Sequence, residues 1–164
     1  MKMKPIEYVK TLNAHYQAYG FPPYKWSTFQ TTTWTPLEKP LEKCRVALLC
    51  SSGISRKDQT PFSPLARSEL TYREIPKETR SEELVINYAY YDHSDADKDP
   101  NIVFPIDRFR ELEQEGYIGE LAQINYGLGM GRMYKRTQLQ TQLAAEIGRR
   151  LKGDAVDVLY CVPA

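Results

Sequence analysis

Histidine is scarce in this chain of 164 residues, which has only His15 and His93. A histidine-rich metal centre is thereby excluded, and any acid–base scheme that needs an imidazole has two candidates. Cysteine is nearly as rare. Cys44, Cys50 and Cys161 are odd in number and fall in no metal-ligand spacing, and the first two lie in or beside an apolar run, so reduced thiols are expected. A surplus of charge is missing too. With 22 basic and 21 acidic residues the net charge is +1, which gives neither a nucleic-acid backbone nor an anionic membrane a field to follow. No membrane-length apolar run occurs, and the basic start Met1-Lys2-Met3-Lys4-Pro5 leads into no signal-peptide core. The expected setting is the cytoplasm, without membrane or nucleic-acid partners and with no cofactor.

What is present has the size and pattern of one α/β domain spanning 1–164, with a helical and proline-rich arm over 1–43 and a core over 44–164. Ile6, Val9, Leu12, Tyr16 and Tyr19 recur at steps of three and four, which predicts a helix over 5–19 that Gly20 ends. Prolines then break the chain through Pro36, and this stretch reads as an arm wrapped over the core. Arg45-Val-Ala-Leu-Leu-Cys50 predicts a strand, followed by the turn Ser51-Ser52-Gly53 and a polar loop or lid over 55–67. Residues 70–75 and 83–89 predict two more strands. Pro105 opens a helix with Ile106, Phe109 and Leu112 inward, Arg108, Arg110, Glu111 and Glu113 mostly toward water, and Gly116 as its stop. Residues 118–124 reach another strand. Leu139, Leu143, Ile147 and Leu151 form an i, i+4 ladder in a helix over 137–152 capped by Gly153. The valine-rich run 155–164 reads as a strand buried on both faces. Together these predict a doubly wound, mostly parallel sheet of flavodoxin or Rossmann kind, with helices on both faces and an N-terminal helical arm.

Ligands of open parallel sheets collect beyond the carboxyl ends of the strands, which selects the candidate residues. Ser51, Ser52 and Gly53 offer hydroxyls and backbone N–H groups suited to an anion or carboxylate, although a plain tight turn accounts for them as well. The segment 90–101 carries His93 and four aspartates, Asp92, Asp95, Asp97 and Asp99. Their alternation resembles a calcium loop, but counted from Asp95 there is no glycine at the sixth place and no glutamate at the twelfth, so no metal is expected. Asp92 and His93 are candidates to orient an amine or transfer a proton, and Asp95 and Asp97 to contact a ligand. The competing reading is that these carboxylates accept backbone bonds in turns. Gly129, Met130 and Gly131 belong to a glycine-rich turn over 127–131 that lets backbone approach a ligand or simply bends. Cys50 and Cys161 are the candidate nucleophiles, with core packing as the alternative.

Several stretches together resemble the selenoprotein B family of glycine, sarcosine, betaine and D-proline reductases. They are Trp34-Thr-Pro-Leu37, Cys44-Arg-Val-Ala-Leu48, Tyr72-Arg-Glu-Ile-Pro76, Tyr91-Asp-His-Ser-Asp-Ala-Asp97, Val103-Phe-Pro-Ile-Asp-Arg108, Arg110-Glu-Leu112 and Glu115-Gly-Tyr-Ile-Gly119. The resemblance implies a subunit of a reductive amino-acid-cleaving oxidoreductase, acting with a partner subunit or in an oligomer on a small amino-acid-like or carboxylate ligand. It also implies that the last strand leads toward a redox-active selenocysteine or cysteine that lies beyond this chain. Either a UGA codon was taken as a stop, or this is a short member without the redox loop; the codon after Ala164 separates the two. The chain departs from the resemblance at Ser51-Ser52-Gly53, where relatives are richer in glycine, and at Tyr88 and Tyr90, where they tend to carry histidine. A non-catalytic small-molecule-binding or assembly subunit is the alternative function.

Overall fold

Six residues, Arg45–Cys50, form the strand (β1) on which the sheet is built in a computed structural model that describes residues 7–23, 28–32, 34–129 and 135–163. The chain divides into two compact units, Met1–Pro36 and Leu37–Ala164. In the first, α1 (Tyr8–Ala18) ends at Gly20 with φ +79°, as its periodicity predicts, yet no residue of the helix is buried. Ile6, the first member of the expected apolar face, lies outside the described residues.

The second unit is a mixed α/β fold with a curled, mostly parallel five-stranded sheet. β1 pairs in parallel with β5 (Glu120–Leu121) and β6 (Ile124–Leu128) along one side, and with β7 (Val158–Val162) along the other. β3 (Tyr72–Pro76) extends the sheet antiparallel to β6. The side chains of β1 alternate across the sheet. Val46, Leu48 and Cys50 join the larger core cluster with Phe104 and Ile106, against which Phe109 and Leu112 of α2 (Ile106–Gln114) pack. Leu49 turns instead to Tyr126, Leu128, Leu143 and Ile147. Those last two belong to a helical run made of α3 (Arg136–Gln138), a π-helical stretch (Leu139–Leu143) and α4 (Ala144–Gly153). The predicted ladder of Leu139, Leu143, Ile147 and Leu151 is intact there.

Several expectations are corrected. β7 is an edge strand rather than one buried on both faces, because β1 takes the centre. Only Val158 and Val162 pack on the core, while Leu159 and Tyr160 are 37% and 47% exposed. Residues 84–86 leave the main sheet altogether: β4 (Leu84–Ile86) pairs antiparallel with β2 (Ile54–Arg56), which occupies the start of the expected lid. Arg110 and Glu113 do not simply face water, since Arg110 donates to the carbonyls of Lys77 and Thr79 at 2.7 Å and Glu113 pairs with Lys77 at 3.0 Å. Gly153 stays helical, and the left-handed position falls on Ala155 at φ +53°.

Residues 118–124, expected to reach another strand, hold a two-residue strand, β5, and the first residue of β6. Between β5 and β6 the Ala122 N–H still donates to the Val46 carbonyl of β1 at 2.8 Å, but the Ala122 carbonyl has no rung there and the Gln123 carbonyl turns to the Lys77 N–H, and a buried side chain fills the gap. Asn125 Oδ1 accepts from the Leu48 N–H at 2.8 Å while its Nδ2 donates to the Ala122 carbonyl at 3.0 Å. A buried backbone group left unpaired costs free energy comparable to a lost bond. Asn125→Ala strands both partners beneath the sheet, and denaturant titration is expected to show a loss of about 2 to 4 kcal/mol.

Candidate functional site

The carboxyl ends of four strands meet at one turn. After β1, the Ser51 N–H donates to the carbonyl of Val162 at the tip of β7, at 3.2 Å. The Gly53 N–H donates to Leu128 at the end of β6 (3.1 Å), and Asn87, just past β4, donates to the Gly53 carbonyl (3.0 Å). Gly53 has φ +71°, and a Cβ there would stand 2.8 Å from the Asn87 carbonyl oxygen, so only glycine fits. Gly127 serves the same convergence, because a Cβ on it would fall 2.0 Å from the Ile54 carbonyl oxygen. The final strand therefore delivers its tip to the rim that holds Ser52, as the reading of a parallel sheet requires. The N–H groups of Ser51 and Gly53, expected to face a carboxylate, are engaged by these strand ends.

Behind the turn sits a buried polar pair. Cys50 Sγ donates to Ser52 Oγ at 3.0 Å, and both residues are fully buried. Burial pushes the Cys50 thiol above its ordinary range, with the hydroxyl of Ser52 opposing. Cys161 stands level with Leu49, not with Cys50, whose partner is Val162. Cys161 and Cys50 thus point to opposite faces of the sheet, and the structure does not bring them together. Cys161 is exposed, and desolvation raises its thiol as well.

The tyrosine-rich segment links this pair to the aspartate loop. Tyr91 donates to the Ser52 carbonyl at 3.4 Å, and its ring lies 5.5 Å from Tyr88 and 5.4 Å from His93. Burial drives the Tyr91 phenol up to about 12, and its position between Cys50 and Asp97 adds to the rise while the bond to Ser52 opposes it. His93 Nδ1 lies 2.8 Å from Asp97 Oδ2. Asp92 accepts from the amide and hydroxyl of Ser94, which hold its carboxyl below the usual range. Asp95 pairs with Lys98 at 2.9 Å, and Asp99 caps Asn101. Among the described residues, no group of three or more His, Cys, Asp or Glu is placed to hold a metal ion.

Gly129 is buried at the end of β6, with its N–H on the Thr71 carbonyl and Phe62 against its Cα. Met130 and Gly131 lie outside the described residues. Turn, thiol, imidazole and carboxylate loop are thus gathered at one end of the sheet. Tyr91 and Asn87, which hold them together, were no sequence candidates, although the crowding of Tyr88, Tyr90 and Tyr91 was the available signal. At the amino ends of the strands lies a polar cleft of about 400 Å³. Its charges are largely paired, Arg45 with Glu120 at 3.0 Å and Lys39 with Asp157 at 2.7 Å.

The family model of glycine/sarcosine/betaine reductase selenoprotein B matches residues 19–162. The chain is 34% identical over 126 residues to the D-proline reductase subunit gamma of Acetoanaerobium sticklandii, covering 77% of this chain and 51% of that protein. It is 31% identical over 102 residues to the sarcosine reductase complex component B subunit beta of Peptoclostridium acidaminophilum, covering 60% and 23%. With the glycine reductase complex component B subunit gamma of Symbiobacterium thermophilum it shares 29% over 137 residues, covering 81% and 32%. The chain spans about half the length of the first of these relatives and less of the other two. No solved structure gives a significant match.

Two outcomes follow from this burial. In the native protein Cys161 is expected to take up iodoacetamide at least about tenfold faster than Cys44 or Cys50, read by peptide mass spectrometry, since thiols closed off in apolar surroundings are inert. The fold also holds the Tyr91 proton where an unfolded chain, near 10, gives it up. The associated stability is complete below pH of about 10 and falls as pH rises toward about 12. Tyr72 is raised to about 12 by burial too, so Tyr91→Phe is expected to flatten only part of that slope in melts across alkaline pH.

Proposed function

We propose, from the premise that this chain belongs to the glycine/sarcosine/betaine reductase selenoprotein B family, that it is a subunit of a reductive amino-acid-cleaving oxidoreductase. The observation that carries the proposal is the match across 144 residues, 19–162, with relatives named as subunits of D-proline, sarcosine and glycine reductases. A partner subunit follows from the same names, two of which denote components of a complex. Among the described residues no helix is long and apolar enough to cross a membrane.

The ligand in this reading is a small amino-acid-like or carboxylate molecule held where the four strand ends meet. Ser51, Ser52, Gly53 and Gly129 form its floor, with Met130 and Gly131 following in sequence. Asp92, His93, Asp95 and Asp97 face it from the loop after β4. The clustering of Cys50, Ser52, Tyr91, His93 and Asp97 at that end supports this placement, because ligand sites of open α/β sheets lie there. The finer architecture, doubly wound with helices on both faces, draws support from the two apolar clusters that divide the side chains of β1.

Nucleophilic cleavage needs an ionised sulfur or selenium, since the thiolate rather than the thiol attacks. Cys50 is buried and held as the neutral thiol, so the attacking group of this proposal is supplied by the complex and not by Cys50. The test is to purify the tagged full chain from its native cells and assay the eluate with D-proline, glycine, sarcosine and betaine under a dithiol reductant. Co-elution of further subunits and consumption of one of the four is the expected result. Ligand-dependent stabilisation without consumption of any of them would favour a binding or assembly subunit instead.

A further inference from the structure

The loop carboxylates divide unequally around His93. Asp92, its sequence neighbour, is taken by Ser94, and Asp95 by Lys98. Asp97 alone of the three reaches the imidazole, with Oδ2 at 2.8 Å from Nδ1. The contact is built into the backbone, because residues 93–97 close one helical turn in which the Asp97 N–H donates to the His93 carbonyl at 2.8 Å. An i, i+4 spacing puts the two side chains on one side of that turn, and Ala96, 3% exposed in the larger core cluster, anchors it. The His93 side chain is 25% exposed, half the 52% of Asp97. Its ring leans on Tyr91, whose hydroxyl bonds the turn that carries Ser52. The imidazole is thus fixed on two sides, by a carboxylate at one nitrogen and an anchored aromatic ring beside it.

We infer that Asp97 is a positioning residue that holds His93 as the Nδ1–H tautomer, leaving Nε2 as the proton acceptor of the ligand site proposed at the strand ends. The inference deepens the proposed function and rests on it for the location of the ligand. An ionised carboxylate only accepts, so the atom facing it at hydrogen-bond distance must carry the proton. In a neutral ring the lone pair then resides on Nε2. When an amino-acid-like ligand binds, a proton leaves its ammonium group, the bonding pair stays on that nitrogen, and an Nε2–H bond forms. Asp97 keeps its bond to Nδ1 throughout and takes no proton itself. Asp92 and Tyr91 are the other ionisable groups beside the ring, and each already has its own partner.

Because the chain has only one other histidine, His15, long-range nitrogen–proton NMR of the full chain with His15→Gln reads His93 directly. The expected spectrum in mildly alkaline buffer is that of a ring protonated at Nδ1. Asp97→Asn should shift the population toward Nε2–H and slow carbethoxylation of His93 by diethyl pyrocarbonate about tenfold, with Asp97→Glu restoring part of both. Asp97 is half exposed, so an unchanged melting temperature confirms that the variant is folded. An Nε2–H ring in the parent chain, or a tautomer and reaction rate indifferent to Asp97→Asn, overturns the inference. A fixed tautomer in a chain whose complex cleaves no amino acid sinks the reductase reading alone; cleavage by a complex with an unfixed ring sinks the tautomer assignment alone.

Discussion

The constraint on which the candidate site depends is the left-handed backbone at Gly53. One residue there both donates to the end of β6 and accepts from the segment after β4, while Ser51, two residues earlier, bonds the tip of β7. Four strand ends in two separate sheets are thereby registered to a turn of three residues. No side chain can be introduced at Gly53 without strain and collision with Asn87, and Gly127 is under a comparable restriction from Ile54. The small-residue turn is therefore first a structural joint. Two of its N–H groups are committed to strand ends, which leaves the proposed ligand to the loop side chains more than to backbone donors.

In the proposed function the chemistry therefore falls to the loop after β4. The thiol that lies nearest the centre, Cys50, is closed off and bonded to Ser52, which suits packing and polar satisfaction rather than attack. The exposed thiol, Cys161, belongs to the opposite face. What remains at the convergence with both partial exposure and an acid–base character is the imidazole and its carboxylate, with Tyr91 as the strut between loop and turn. A half-buried phenol that donates to a carbonyl and titrates only at about 12 stays neutral, a fitting support for a group held in one orientation.

The parts of the fold that the sequence disclosed are those where period alone decides the outcome. β1 is continuous and apolar, α2 lies between Pro105 and Gly116, and the ladder from Leu139 to Leu151 lies along one helix face. The family, too, was readable, because short motifs occurred in a fixed order. What stayed hidden depends on neighbours rather than on period. A valine-rich run reads alike at the centre or the edge of a sheet, so β7 was misplaced, and nothing in Tyr72–Pro76 tells a parallel from an antiparallel partner. The break at Ala122 and Gln123 is invisible because Asn125, an ordinary polar residue in the sequence, acts as a substitute rung. At the site, the Ser51–Gly53 turn was evident from small residues after a strand. The spacing of His93 and Asp97 was also in view, yet choosing among four aspartates required knowing which ones had other partners.

β7 pairs with β1 across a long stretch of chain, and just before it Asp157 accepts from the Arg45 N–H at a sequence separation of 112. Every residue between them must be synthesised before the middle of the sheet acquires its second flank, and closing so large a loop is slow. During that interval the flank of β1 later occupied by β7 offers open backbone groups to any passing strand. The pairing of β1 with β7 is thus among the most non-local contacts of the sheet, and the strand ends that meet at the Ser51–Gly53 turn are complete only once β7 has docked.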